Sequence, residues 1–286
     1  MRRIATVLGP GLVLMCGMCL AAQQPAQKPA QQPAVRTAPP VYRVEPEGFN
    51  ASERDIKALL DSAACTMWRY FPTAKIEPLV ITRGHEGPIT LFRRNDRGEI
   101  VMRLDTGNTY WSQYVYQFGH EFCHILCGFR ADSPGNKWFE ETLCETASLF
   151  VLRAMARSWQ NDPPYPNWKD YRDSLRQYAD DVACQRDQLD VIAEKGLGAF
   201  YRANREAFRK EPCLRELNGA MAVVLLRLLE KEPEHWEAVR GLNSGPSTPD
   251  EPLALYFRRW HNAVPVKHKP FVKHIARLYG IALEQP

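Results

Sequence analysis

Apolar residues recur along this chain in two successive rhythms. Residues 41–44 alternate and predict a first strand. Ser52 then stands where a helix cap is expected, ahead of a helical stripe of Ile56, Leu59, Leu60 and Ala63 that runs to Trp68. Residues 76–82 are a short apolar, β-branched run ending at Arg83-Gly84. Residues 89–92 and 99–104 flank Asn95-Asp96-Arg97-Gly98, a turn signal between alternating segments, and predict a hairpin. Asp105-Thr106-Gly107-Asn108 breaks the alternation.

From there the period becomes helical. Residues 111–127, 137–158, 168–183 and 213–230 predict long helices, and residues 233–240, 252–261 and 270–278 predict shorter ones. No internal repeat is present. The expected fold is α+β, a small N-terminal strand-rich lobe followed by a mostly helical lobe.

The two ends of this pattern need separate treatment. Arg2 and Arg3 followed by an apolar run to Leu20 and by Ala21-Ala22 predict an export signal over residues 1–22. Gly9-Pro10-Gly11 interrupts the run and leaves too little to span a bilayer. Cys16 and Cys19 each follow a Met rather than the small residue of a lipid-attachment site. Residues 23–40 are almost wholly Gln, Pro and Ala, which predicts a disordered tether before a domain over 41–286. The expected location is outside the cytoplasm, periplasmic or extracellular, and the form of the signal fits a bacterial envelope; no membrane span is expected after signal cleavage.

Charge narrows the partners. Of 37 Lys and Arg residues, Arg2, Arg3, Lys28 and Arg36 precede residue 41, whereas all 33 Asp and Glu follow it, so the expected domain is neutral. That removes the electrostatic case for a nucleic-acid partner. The basic stretch of Lys267, His268, Lys269, Lys273, His274 and Arg277 reads as a solvated helix face. Six cysteines follow the signal (Cys65, Cys123, Cys127, Cys144, Cys184 and Cys213), an even number that suggests disulfides in an exported protein. A bridge from Cys123 or Cys127 to Cys144 is expected to clamp the helices that carry them. Trp111, Phe118, Phe122, Phe150 and Met155 are expected in the core.

The candidate chemistry lies in His120-Glu121-Phe122-Cys123-His124. Helical spacing places His120 and His124 on one face, where two imidazoles can bind one metal ion, and puts Glu121 within reach of a water as general base. Catalytic zinc takes three protein ligands and leaves a position open. The three-histidine metzincin pattern requires Gly at 127 and His at 130, where this chain has Cys127 and Arg130. The helix beginning Trp138-Phe139-Glu140-Glu141 supplies carboxylates instead, with Glu145 one turn beyond Glu141. Thiolate ligation by Cys127 is a further option.

In H-E-x-x-H followed by W-x-x-E, the segment 120–148 resembles the gluzincin metallopeptidases, the group of thermolysin-like enzymes and zinc aminopeptidases. The resemblance implies a zincin-like fold, Zn2+ as cofactor, His120, His124 and Glu141 as its ligands, and Glu121 as catalytic base. It places Glu145 behind a ligating histidine as an orienting carboxylate, and leaves Glu140 as the competing ligand. Glu140-Glu141-Thr142 stands where the aminopeptidases carry Asn-Glu-Gly, and there is no G-x-M-E-N segment, so an aminopeptidase in particular is not implied. The implied substrate is a peptide or protein, laid in extended form along the strand of residues 99–104. Tyr171, Tyr178, Tyr201, His235 and His261 are the candidates to stabilise the oxyanion. Two other readings stand beside this one: a zinc-stabilised envelope protein that binds without catalysis, and a zinc amidase acting on a non-peptide amide.

Overall fold

The sheet explains how the first third of the chain reaches the site. A computed structural model of the protein describes residues 38–128, 130, 135–185 and 188–283. The expected signal, 1–22, and the tether as far as residue 37 lie outside the described residues. Pro40 is already buried, so packing begins at the last residue assigned to the tether.

Strands β1 (Tyr42–Val44), β2 (Leu79–Arg83), β3 (Ile89–Thr90) and β4 (Ile100–Leu104) form one sheet in the order β1-β2-β4-β3. β1, β2 and β4 run parallel, and β3 runs antiparallel to β4. A parallel pair needs a crossover, and α1 (Glu53–Trp68) supplies it between β1 and β2. The Ser52 side chain caps α1 through the amide of Asp55, and Ile56, Leu59, Leu60 and Ala63 are buried on the expected face. In β2, Leu79, Val80 and Ile81 are buried in succession, as a covered central strand requires.

The hairpin forms as expected, with Ile89 opposite Arg103 and Thr90 opposite Met102. Its turn closes on Asn95, whose side-chain oxygen accepts from the amides of Arg97 and Glu99, while Gly98 takes the left-handed conformation at φ 73°. The structure corrects one expectation here. Residues 99–104 do not form the sheet edge, because β4 is enclosed between β2 and β3; the edge strand is β3.

The helices follow in the order α2 (Trp111–Leu126), α3 (Lys137–Ser158), α4 (Tyr171–Cys184), α5 (Leu189–Lys195), α6 (Leu197–Lys210), α7 (Arg215–Lys231), α8 (Leu253–Ala263) and α9 (Lys269–Leu278). The architecture is thus mixed α+β, helix-rich, with a small sheet. Sheet and helices belong to one compact unit rather than to separable lobes. The expected helix at 233–240 is a 3-10 helix, Pro233–Gly241. α5 and α6 were not expected, although Leu197, Phe200, Tyr201 and Phe208 are buried at helical spacing in α6. Gly196, at φ 80°, separates the two and cuts the apolar pattern short. No helix among the described residues is long and apolar enough to cross a membrane.

α2 and α3 pack closely, and the sequence permits it at one point. A Cβ on Gly119 would sit 3.1 Å from the Ser148 Cα, so glycine is what lets the two backbones approach. Ser148 also donates its hydroxyl to the carbonyl of Tyr116 at 2.8 Å. Gly119 immediately precedes His120, so this close crossing sets the motif helix against α3. Gly128, at φ 68°, ends the α2 segment. Trp111, Phe118, Phe122, Phe150 and Met155 are all in the core, as expected. The basic stretch departs from expectation at His268, which is buried and bonded to Glu237 at 3.1 Å rather than solvated.

Candidate metal centre

The crossing of α2 and α3 brings together residues separated by about twenty positions. His120 and His124 face each other with ring centroids 5.1 Å apart. The Glu141 carboxylate lies between them: Oε2 is 3.2 Å from His120 Nε2 and Oε1 is 3.6 Å from His124 Nε2. Four ligands placed tetrahedrally about zinc at ordinary bond lengths are separated by about 3.4 Å. The two imidazole–carboxylate distances are close to that separation.

Each imidazole has a carboxylate on its other nitrogen. His124 Nδ1 is 2.5 Å from Glu140 Oε1, and His120 Nδ1 is 3.9 Å from Glu145 Oε2. Glu140 thus meets His124 at Nδ1, whereas Glu141 meets it at Nε2. The two Glu140 oxygens also accept from Lys137 Nζ at 2.7 Å and from Asn243 Nδ2 at 2.8 Å. With a metal in place, the proton that Glu140 holds on Nδ1 would leave the Nε2 lone pair of His124 to ligate it. Glu145 accepts from the Tyr116 hydroxyl at 2.5 Å.

Electrostatics describe the same balance. Burial opposes charge on His124, yet Glu140 and Glu141 outweigh it and raise its pKa to about 10. Burial raises Glu140, but His124 and Lys137 prevail and lower it to about 2. Glu141 is likewise held well below the usual carboxylate range, against burial, by hydrogen bonds from His120 and His124. The carboxylates thus demand positive charge here, from a proton on His124 or from a cation between the Nε2 atoms. Replacing Glu140 by Gln is expected to weaken zinc binding by about 10–100-fold, the usual effect of losing such a partner. Competition with a chromophoric chelator measures this; unchanged affinity would remove Glu140 from the support of the site.

His120 and His124 can also form a metal-holding group with Cys144, their ligand atoms lying within 4.8 Å of one another. Cys144 and Glu141 are three apart on α3 and so share a side of the helix. Cys144 is fully buried, and burial raises its thiol well above the ordinary range. The expected disulfide is not formed: Cys123, Cys127 and Cys144 are free thiols, with the Sγ atoms of Cys123 and Cys127 3.9 Å apart.

A cavity of about 480 Å³ opens over the centre and includes Glu121, His120, His124 and Glu141 in its wall, but not Cys144. Glu121 is buried, and Thr90 of β3 donates its hydroxyl to the Glu121 carbonyl at 3.4 Å. Residues 89–92 form the rim of the same cavity, so the free sheet edge borders the metal centre.

No family model, curated protein or solved structure matches the chain.

The site is therefore read from its own residues. None of the expected oxyanion candidates lines the cavity. Tyr201 is stacked on Trp138 at 4.7 Å, His235 is paired with His268 at 3.0 Å, and Tyr171 accepts from Ser112. Tyr178 packs edge-on against Tyr116, and His261 is buried. Two cations do line the cavity: Lys137, already bonded to Glu140, and Arg215 at the start of α7, with Asn218 also in the lining. Lys137 was legible as a neighbour of Glu140 and Glu141, three and four positions along one helix. Asn243 was not, since only the tertiary fold joins residues 140 and 243.

Proposed function

We propose that this protein is a zinc-dependent hydrolase of the metallopeptidase type, with a zincin-like fold and a peptide or protein substrate, working outside the cytoplasm. The observation that carries the reading is the position of Glu121. A carboxylate with no ligand role lies in the cavity wall beside the His120, His124 and Glu141 donors. A structural metal site has no use for such a base.

Zinc held by His120, His124 and Glu141 would supply Lewis acidity and lower the pKa of water. The chain's own groups perform the rest. Glu121 takes a proton from the attacking water and returns it to the leaving amine. Arg215 donates to the oxygen on which negative charge develops. Substrate backbone pairs with the open edge of β3, which orders it in extended form beside Glu121. The neutral charge balance of residues 41–286 supports a substrate other than nucleic acid.

Cys144 favours the second reading, a closed zinc site in a protein that binds without catalysis, because a sulfur ligand would replace the open position. Incubation of the purified protein with a mixed peptide library separates the two. Cleavage that stops with 1,10-phenanthroline and returns on adding zinc is the expected result. A zinc-loaded protein that cuts no peptide, or cleavage indifferent to the chelator, would contradict the proposal.

A further inference from the structure

A second hollow, of about 790 Å³, lies on the far side of a pair of rings from the metal centre. Tyr116 lines the metal cavity, Tyr178 lines this hollow, and the two pack edge-on with centroids 5.8 Å apart. One face of α4 forms its length: Tyr171, Ser174, Gln177, Tyr178 and Asp181 recur at helical spacing over roughly 15 Å. Tyr110, Ser112 and Gln113, at the start of α2, stand opposite.

The chemistry of this lining is selective. Among the described residues that form it there is neither an aliphatic nor a basic side chain. Its apolar surface is contributed by tyrosine rings rather than by aliphatic side chains, which suits flat ring faces better than an alkyl chain, and an anion meets Asp173 and Asp181 with no counter-charge in the lining. A cationic peptide is also poorly served, since Asp173 is paired with Arg176 at 2.8 Å and Asp181 accepts from Gln177 at 2.6 Å.

What remains is a set of flat rings and uncommitted hydrogen-bonding groups. Tyr110 is 63 % exposed. The Tyr171 oxygen accepts from both the amide and the hydroxyl of Ser112, which leaves its own hydrogen to donate. Gln113 accepts from Thr106 through Oε1 and keeps its Nε2 donors. Gln177 donates to Asp181 and keeps Oε1 as an acceptor. Phenol faces with alternating donors and acceptors suit a ligand whose rings are apolar on their faces and hydroxylated at their rims.

We infer that this groove binds a neutral oligosaccharide. The shared Tyr116–Tyr178 wall places a glycan held there next to whatever occupies the metal cavity. The inference stands on the groove alone, independently of hydrolysis at the metal centre.

Calorimetric titration of the full chain with chitotetraose, cellotetraose and tetralysine tests it. Saturable binding of at least one tetrasaccharide is expected, weakened about tenfold, ~1.4 kcal/mol, by Tyr110→Ala. Gln177→Ala is expected to weaken it as well, and Glu121→Gln to leave it unchanged. Tyr110 and Gln177 are exposed, so both variants should keep the parent melting temperature. Absence of binding by both tetrasaccharides at millimolar concentration, binding undiminished in Tyr110→Ala, or binding of tetralysine alone would overturn the assignment.

Discussion

Glu121→Gln is expected to lower peptide hydrolysis by about 10³-fold while the protein keeps its metal, the scale of loss for a positioned general base. The substitution preserves shape and removes only the capacity to take a proton. Glu121 is next to His120 in sequence, but the proposed ligands are His120, His124 and Glu141, whose carboxylate faces the Nε2 atom of each histidine. Zinc affinity should therefore change little. A steady-state assay paired with metal analysis reads both quantities. Turnover within about threefold of the parent would show that Glu121 is not the base, whatever the metal does.

The second large effect concerns stability. Phe139 is fully buried and is ringed by Phe257, Trp260 and Tyr279 at centroid distances of 4.9, 5.7 and 5.7 Å. Phe257 and Trp260 come from α8 and Tyr279 directly follows α9, so Phe139 is where the C-terminal segment grips the first turn of α3. Phe139→Ala is expected to cost about 3–5 kcal/mol, a large part of the ~5–15 kcal/mol that holds a typical domain folded. Glu140 and Glu141 follow directly, so the same loosening should weaken metal binding. A shift in the urea midpoint corresponding to less than about 1 kcal/mol would contradict this packing role.

These two residues also mark what the sequence made legible. Glu121 was readable because helical geometry is local: positions 120, 121, 124, 141 and 145 lie on two helices whose bounds follow from their apolar periods. Gly119 carried a further signal, a small residue beside a reactive one. The sheet was harder. Both partners of the hairpin were visible, but their order was not, because nothing within residues 99–104 says that β2 will cover the other side of β4. The oxyanion candidates missed for the same reason. Which tyrosine or arginine reaches the cavity depends on how α4 and α7 pack, and Arg215 reaches it while Tyr171 and Tyr178 face the neighbouring groove. The cysteines were read from compartment and parity, whereas the structure shows three free thiols packed at the α2–α3 crossing.

The central claim is an open zinc site made by two histidines and a glutamate. X-ray absorption at the zinc edge, on protein loaded with one equivalent of metal, tests it most directly. The account predicts a first shell of nitrogen and oxygen alone at about 2.0–2.1 Å, from His120, His124, Glu141 and water. A sulfur contribution at about 2.3 Å would place Cys144 on the metal and contradict the account, as would failure of the protein to hold zinc at all.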